Sequence, residues 1–196
     1  MDESLLPSAI TGGLGTRLIG RRVIYYPSLE STMAAAKQEA RRGAETGTVI
    51  VAGEQTVGRG RRQRTWLSPR GSIALSIILY PGIAHLPFLV MLASLAVADS
   101  IEAVTGLKAQ LKWPNDVLID GRKVCGILVE SELKGNRLEY AAIGIGLNAN
   151  VRLADFPGIS SVATSLADEL GREAPYLELI RRLLVRNNFR THRPAG

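Results

Sequence analysis

The chain has very few of the residues that build metal and redox sites. Its 196 residues include one cysteine, Cys125, and two histidines. A single cysteine excludes an internal disulfide and any zinc site built from several cysteines. His85 and His192 lack a metal-ligand spacing, and His85 lies in a Pro-flanked connection where we expect a structural or solvent role. We therefore predict no metal centre held by protein ligands alone.

Aromatic residues and long apolar runs are also scarce. Aromatics make up 5% of the chain, which argues against the stacking platforms of many proteins that bind single-stranded nucleic acid. The longest apolar run, residues 86–97, is followed by Asp99 and is shorter than a bilayer span. The first residues, MDESLLPSAITGG, lack the basic start of a secretory signal. These absences predict a soluble, cytoplasmic protein without membrane association.

Positive charge is what the chain has in excess. The net charge is +6 at pH 7 and the pI is about 9.8. A hydrophobic content of 46% is ordinary for a globular protein, so the charge sits on a chain with a normal core. The excess favours an anionic partner: nucleic acid, an acidic protein, or a phosphorylated or carboxylated small molecule. Charge alone does not choose among them.

Strand patterns outnumber helical patterns, which predicts an α+β fold with a mixed, largely antiparallel sheet flanked by helices. Helices are expected after Ser28 or Ser31 up to Gly43, and over residues 86–105. Asp120-Gly121 is a two-residue hairpin signal between VLI and KVCGILVE. Beyond residue 151, two helices are expected in SSVATSLADELGR and PYLELIRRLLVRNNF. We divide the chain into a loose arm (1–21), one domain (22–190) and a tail (191–196).

An arginine-rich loop, GEQTVGRGRRQRTW (residues 53–66), follows a predicted buried strand. Its glycines let backbone N–H groups approach an anion, and its arginines match phosphate and carboxylate oxygens bidentately. It carries neither GxxxxGK[ST] nor GxGxxG, so it is neither a P-loop nor a dinucleotide fingerprint. A small-anion site, a nucleic-acid contact and a solvated surface loop remain open.

A second polar cluster flanks the predicted Asp-Gly hairpin. A hairpin brings its strands alongside each other, so four side chains could face one pocket, although alternation alone does not fix their faces. They are Lys112, Asn115, Asp116 and Lys123. Cations, an amide and a carboxylate beside an arginine loop suit phosphoryl or nucleotidyl chemistry. Exposed strand lysines and an ordinary Asn-Asp turn fit the pattern equally well.

Taken together, the motifs resemble those of the biotin–protein ligases, also called biotin–[acetyl-CoA-carboxylase] ligases. They are GRGRRQR (58–64), KWPNDV (112–117), KVCGILVE (123–130) and GIGLNAN (144–150), in that order, with STM (31–33) and WLSPRGS (66–72) also fitting. The similarity covers roughly residues 22–185. It implies the catalytic fold that biotin and lipoate ligases share, which is similar to that of class II aminoacyl-tRNA synthetases.

The resemblance also implies a two-step reaction. Biotin attacks the α-phosphate of ATP to give biotinoyl-5′-AMP, and a lysine of a biotin carboxyl carrier protein then takes the biotinoyl group. ATP is accompanied by Mg²⁺, held largely by phosphate oxygens and water.

Site roles are implied position by position. Lys123, Arg61 and Asp116 are the catalytic candidates. Biotin contacts are implied for Ser31, Thr32, Met33, Gln55, Arg59, Gly60, Arg61, Lys123 and Gly126. Nucleotide contacts are implied for Arg59, Arg61, Arg64, Lys112, Asn115 and Asn148. The arginine loop is then expected to cradle biotinoyl-AMP and to be mobile until it does.

Departures from the family pattern shape further expectations. No DNA-binding segment precedes residue 22, so neither DNA binding nor repressor activity is expected. The chain ends near its last predicted helix, so the family's C-terminal SH3-like barrel is expected to be missing. Alternatives are a lipoate–protein ligase or lipoyl transferase, a non-catalytic nucleic-acid-binding module, and a chain that binds biotin without transferring it. An edge strand could also pair two copies in a homodimer.

Overall fold

A seven-stranded sheet organises residues 6–187, which are the residues that the computed structural model describes. Its strands are β1 (Val23–Tyr26), β2 (Val49–Ala52), β3 (Ser72–Leu79), β4 (Gln110–Lys112), β5 (Asp116–Ile119), β6 (Arg122–Lys134) and β7 (Arg137–Asn148). They lie in the order β1-β2-β3-β7-β6-β5-β4. Only β1 and β2 run parallel, and the other neighbours are antiparallel. The predicted mixed, largely antiparallel sheet is confirmed.

Five helices accompany the sheet within the described residues. They are α1 (Pro7–Thr11), α2 (Thr32–Arg41), α3 (Leu89–Thr105), α4 (Leu166–Leu170) and α5 (Tyr176–Arg186), with 3-10 turns at Arg61–Gln63, Ile83–Phe88 and Leu153–Asp155. Ser31 caps α2, accepting a hydrogen bond from the Ala34 N–H at 3.4 Å. The helix predicted over SSVATSLADELGR is shorter than expected. Ser165 caps it, and the preceding Ala163 forms a β-bridge with Lys123 instead.

The two faces of the sheet differ because side chains alternate along each strand. On β7, one face carries the aliphatic residues Ile143, Ile145 and Leu147, all buried in the main core. The other face carries Gly144 and Gly146 at the alternate positions. Helices α3 and α5 cover the aliphatic face, whereas α2 covers only part of the glycine face. A concave region is therefore left open beside α2.

The helical segment Ile83–Thr105 is longer than the apolar run seen in the sequence. It has 23 residues and contains an 18-residue window of mean hydropathy 1.7, so by length and composition alone it could cross a membrane. In the fold, however, Val97 and Ile101 are fully buried in the core that α3 forms with the sheet and α5. The burial of this helix is that of a core helix.

The N-terminal segment differs from the loose arm that we predicted. Ile10 and Ile19 are fully buried, and both belong to the main core. The Gly20 N–H donates to the Gly47 carbonyl at 2.9 Å, which fixes the segment beside β2. Apolar side chains hidden in the glycine-rich stretch thus anchor it. Residues 1–5 and the tail predicted over residues 191–196 lie outside the described residues.

The hairpin predicted at Asp120-Gly121 is confirmed. Both residues have positive φ, 46° and 77°, as the tight turn between β5 and β6 requires. Lys134 and Arg137 pair across the second predicted turn, which joins β6 to β7. These turns place the KWPNDV and KVCGILVE motifs on neighbouring strands.

The packing of the N-terminal segment predicts that Gly47→Ala strongly lowers the free energy of unfolding. Gly47 has φ +83°, and a Cβ built there would overlap the backbone carbonyl of Leu18. Gly135 also has positive φ, +60°, but has open space around it. We expect Gly135→Ala to lower the free energy of unfolding by about 1 kcal/mol and Gly47→Ala to lower it by at least about 1 kcal/mol more. Urea unfolding measures both values, and equal losses would contradict the packed segment.

Candidate active site

The open region beside α2 has a floor made of glycines. Gly126 of β6 lies directly opposite Gly146 of β7 in the strand register, and Gly144 follows on the same face. A Cβ at Gly146 would overlap the indole of Trp66, and one at Gly144 would lie 2.9 Å from the Met33 methyl carbon. Only glycine allows these side chains to lie this close to the backbone.

The wall of the site is the N-terminus of α2, held by a hydrogen-bond chain. The Thr32 N–H and hydroxyl both donate to the Gln55 side-chain oxygen, at 2.8 and 3.0 Å. The Ser76 hydroxyl donates to the Thr32 hydroxyl oxygen at 2.9 Å. Thr32 and Ser76 are buried, so the chain fixes the polar groups at this end of the helix.

Lys123 reaches the site because of a β-bulge. Strict alternation from Gly126 would place Lys123 on the opposite face of β6, together with the buried Cys125. The register shifts between Val117 and Leu118, so that Lys123 pairs with Leu118 while Cys125 pairs with Val117. The shift is equivalent to one extra residue on β6 and brings Lys123 to the glycine face.

At that position, the Lys123 Nζ lies 2.7 Å from an Asp116 carboxylate oxygen. It also lies 5.2 Å from the centroid of the Trp66 ring, within range of a cation–π interaction. Both members of the ion pair remain partly exposed, with side-chain exposures of 31% and 25%. The lysine is therefore oriented by protein groups yet still accessible to a ligand.

The arginine loop folds back over this floor. The Gly60 N–H donates to the Arg64 carbonyl at 2.7 Å, and the Trp66 N–H donates to the Gly58 carbonyl at 2.9 Å. The Arg61 guanidinium donates to the Asn115 side-chain oxygen at 3.0 Å, and the Asn115 amide donates to the Ile127 carbonyl at 3.0 Å. Arg61 thus links the loop to the sheet through Asn115.

Two adjoining pockets result. The inner pocket, between α2 and the glycine floor, has a volume of about 50 Å³. The outer pocket, between the arginine loop and residues 159–163, has a volume of about 430 Å³. Lining residues common to both are Gly60, Arg61, Trp66, Asn115 and Lys123. Their junction therefore combines a guanidinium, an ammonium and an amide.

The structure brings together nearly all of the predicted site residues. The inner pocket is lined by Ser31, Thr32, Met33, Gln55, Arg59, Gly60, Arg61, Asn115, Lys123 and Gly126. The outer pocket adds Arg64, Asp116 and Asn148. Lys112 lines neither pocket and lies on the exposed strand β4. It is the predicted residue that the fold does not bring to the others.

Several lining residues were not predicted from the sequence as site residues. They are Arg62, Trp66, Ser76, Gly144 and Gly146. Two glycines at alternate positions in an otherwise aliphatic strand were the available signal for the floor. Ser76 offered a similar signal, as a hydroxyl within an apolar strand.

The electrostatics of the site are those of an anion receptor. Asp116 is the one carboxylate among the residues lining the two pockets, which also include four arginines and Lys123. Burial raises the pKa of the Cys125 thiol, which leaves it protonated and unreactive in the core. Within residues 6–187, no group of three His, Cys, Asp or Glu side chains could hold a metal ion. The geometry suits a ligand that presents a carboxylate and a phosphate at one junction.

The fold is similar to the catalytic fold of solved biotin protein ligases. The biotin protein ligase of Aquifex aeolicus, solved in complex with biotin and ATP, superposes with a TM-score of 0.71 at 33% identity. The match covers 85% of this chain and 68% of that one.

The model of the biotin/lipoate A/B protein ligase family matches residues 25–148. The chain therefore belongs to this family, and the predicted relationship to biotin–protein ligases is confirmed.

Curated relatives agree with this assignment. The bifunctional ligase/repressor BirA of Bacillus subtilis is 40% identical over 185 residues, which are 92% of this chain and 57% of that protein. The biotin–[acetyl-CoA-carboxylase] ligase of Mycobacterium tuberculosis is 37% identical over 193 residues, 94% of this chain and 68% of that protein. The chain thus spans little more than half the length of the BirA relatives.

The glycine floor predicts that Gly146→Ala displaces Trp66. The added methyl would occupy the position of the indole, whereas Gly144→Ala meets only the flexible end of Met33. In a chain that carries Trp113→Phe, Trp66 is the only tryptophan. We expect red-shifted tryptophan emission with Gly146→Ala and little change with Gly144→Ala. An unchanged spectrum for Gly146→Ala would show that the indole does not rest on the floor.

Proposed function

We propose that the chain catalyses ATP-dependent ligation of biotin to a lysine of a biotin carboxyl carrier protein through biotinoyl-5′-AMP. The observation that carries the proposal is the junction of the two pockets at Arg61, Asn115 and Lys123. A carboxylate placed in the inner pocket meets a phosphate placed in the outer pocket at this junction. The biotin and ATP bound to the Aquifex aeolicus ligase, and the name of the Mycobacterium tuberculosis relative, support the same pair of substrates.

The inner pocket offers complementary surfaces for biotin. The polar wall of Ser31, Thr32 and Gln55 suits the ureido ring, which carries two N–H donors and a carbonyl acceptor. The glycine floor allows a flat bicyclic ring to lie against the backbone, with Met33 beside it. The valeryl chain would pass Gly126 and bring its carboxylate to Lys123.

The first step joins two anions, so the site must lower their repulsion. A biotin carboxylate oxygen attacks the α-phosphorus, an acyl–phosphate bond forms, and the bond to pyrophosphate breaks. Lys123 and Arg61 lie where negative charge develops in that transition state. Asp116 orients Lys123 through the 2.7 Å ion pair until the substrates arrive.

The second step consumes the mixed anhydride. The carrier lysine amine attacks the acyl carbon, the bond to AMP breaks, and an amide forms with loss of one proton. Asp116, on the wall of the outer pocket, is the lining carboxylate that could orient the incoming lysine by accepting a hydrogen bond from its amine. The arginine loop excludes water from the anhydride while the carrier approaches.

Entry of biotin requires the loop to move. A volume of about 50 Å³ holds a few water molecules rather than a bicyclic acid. Arg59, Arg61 and Trp66 are loop side chains that line this pocket. We infer that the loop opens to admit biotin and closes again over the adenylate.

We assign the nucleotide contacts to the outer pocket. Arg61 and Arg64 would hold phosphate oxygens there, and Asn115 and Asn148 would lie near the ribose and adenine. Arg59, which was also predicted to contact the nucleotide, lines the inner pocket. The Asn148 amide already donates to the Thr164 carbonyl at 3.0 Å, which fixes its side chain. The predicted nucleotide role of Lys112 finds no support in the geometry, because β4 is exposed and lies outside both pockets.

Mg²⁺ fits this donor set as a partner of ATP rather than as a resident metal. Phosphate oxygens and water would hold it, with Asp116 as the carboxylate that the outer pocket supplies. When bound, it would neutralise charge on the phosphates.

Other expectations stay predictions. A homodimer through an edge strand, the absence of DNA binding and a cytoplasmic location belong to this group. Lipoate is the second candidate acid, because the matched family includes lipoate ligases.

Pyrophosphate exchange separates these candidates. Labelled pyrophosphate should enter ATP in the presence of biotin and not of lipoate. Exchange with lipoate alone would reassign the substrate. Absence of exchange with either acid, together with salt-dependent binding of nucleic acid, would favour the non-catalytic alternative.

Lys123→Ala should lower the rate of biotin-dependent exchange by about 10²–10³-fold, because it removes a cation aimed at the developing charge. Lys112→Ala is the matched control: it removes the same charge outside both pockets, and we expect it to change the rate by about twofold at most. Similar losses in the two variants would exclude a specific role for Lys123. Circular dichroism confirms that both chains are folded.

Arg61→Ala should accelerate the release of biotinoyl-AMP by about tenfold or more, because a charge-assisted hydrogen bond to the phosphate is lost. Affinity for biotin alone should fall less. Arg70→Ala, which removes an exposed arginine paired with Glu54 outside both pockets, controls for charge. Equal weakening of biotin and adenylate binding would contradict the cradle.

A further inference from the structure

A third cavity lies at the far end of α2 from the inner pocket, with a volume of about 560 Å³. Ser31, Thr32 and Met33 line the inner pocket, whereas Ala40 and Arg41 line this one, which we call the distal pocket. The ten residues of α2 separate the two by about 15 Å. None of the residues assigned to the ligation site lines the distal pocket.

Four arginines line the distal pocket, against one acidic residue, Glu45. Two of the four are already paired: Arg22 lies 3.8 Å from Glu39, and Arg41 donates to Glu132 at 3.0 and 2.8 Å. The other two, Arg17 and Arg21, form no ion pair with any residue from 6 to 187. Two guanidinium groups thus face a cavity with their charge uncompensated.

A buried hydroxyl provides an independent indication of a ligand. Thr48, which directly precedes β2, is 1% exposed and lines the distal pocket. Its hydroxyl has no hydrogen-bond partner in the described part of the chain, and the same holds for the hydroxyl of Thr46, which lines the pocket beside it. Buried polar atoms of folded proteins nearly always have a hydrogen-bond partner, so we expect each of these hydroxyls to bond to a group that enters the pocket.

The surroundings hold these groups in place. The Tyr80 hydroxyl donates to the Ala44 carbonyl at 2.8 Å, and the Gly47 N–H donates to the Ile78 carbonyl at 2.7 Å. Leu18 and the N-terminal segment close the cavity from the other side. The pocket is thus built from the end of α2, the connection that leads from α2 to β2, and the segment that packs across Gly47.

We propose that the distal pocket binds a phosphorylated small molecule with two or more negative charges. Guanidinium forks bind phosphate oxygens bidentately, which suits Arg17 and Arg21. A phosphate also has oxygens left to accept a hydrogen bond from Thr48. A cavity this size admits a compact ligand with a phosphate chain.

The test titrates the full chain with sodium tripolyphosphate and follows the heat of binding. We expect the arginine loop to bind this anion as well, so every titration is repeated in an Arg61→Ala background. Arg17→Ala/Arg21→Ala should weaken distal binding by about tenfold or more, because two charge-assisted contacts are lost. The matched control, Arg137→Ala/Arg172→Ala, removes two arginines outside the distal pocket and should change it by about twofold at most.

Thr48→Val keeps the shape of the side chain and removes only the hydroxyl. We expect tripolyphosphate affinity to fall by about three- to tenfold. The free energy of unfolding without ligand should not fall, because the hydroxyl has no partner to lose. This variant tests the pocket even if the double arginine variant folds poorly.

Unchanged affinity in Arg17→Ala/Arg21→Ala, or an equal loss in the matched control, would overturn the proposal. Citrate that binds as tightly as tripolyphosphate would overturn the assignment to phosphate. A short single-stranded DNA that binds the Arg61→Ala chain more tightly than tripolyphosphate would assign the surface to nucleic acid instead. The proposal does not rest on ligase activity, so a failed pyrophosphate exchange leaves it standing.

Discussion

The alternation of side chains along β7 is the constraint on which both core and site depend. One face carries Ile143, Ile145 and Leu147, which pack under α3 and α5. The other carries Gly144 and Gly146, which leave room for Trp66 and a ligand. Each glycine in a strand interior costs about 0.5–1 kcal/mol, whereas each buried aliphatic side chain contributes about 1.5–3 kcal/mol. The aliphatic face therefore stabilises a strand whose other face is unfavourable for folding but suited to binding.

A single β-bulge then places a lysine on the glycine face of the sheet. Without the register shift at Val117 and Leu118, Lys123 would point into the same core as Cys125. With it, the ammonium lies beside Asp116, over the glycine floor. Placing a lysine among aliphatic residues would require burying an uncompensated charge, which is very costly. The bulge avoids that cost and directs the side chain to a surface where anions can pair with it.

Local patterns predicted the sheet and the hairpin at Asp120-Gly121, because turn chemistry and strand periodicity act over a few residues. Most of the site residues were implied instead by the resemblance of the motifs to those of biotin–protein ligases. Three features depended on tertiary structure instead. Lys123 points to the glycine face of the sheet because of the bulge, and the alternation of residues in the sequence does not reveal a bulge. The packing of Ile10 and Ile19 was hidden by the glycines around them. Lys112 shares a motif with Asn115, but it lies on β4, the exposed edge strand of the sheet. Membership of the motif therefore did not guarantee a place in the site.

Gln55 and Trp66 anchor the two ends of the arginine loop to α2 and to the glycine floor, whereas the tip of the loop, residues 59–64, is held by weaker contacts. The side chain that links the tip to the sheet is Arg61, through its exposed hydrogen bond to Asn115. Arg62 holds a left-handed conformation, φ 54°, which costs a non-glycine residue about 1–2 kcal/mol. An exposed hydrogen bond contributes about as much as that strain costs. We therefore expect the closed tip to be near balance with open forms, as a pocket too small for its proposed ligand requires. A bound adenylate would shift that balance toward the closed form, because its negatively charged phosphate would pair with the loop arginines.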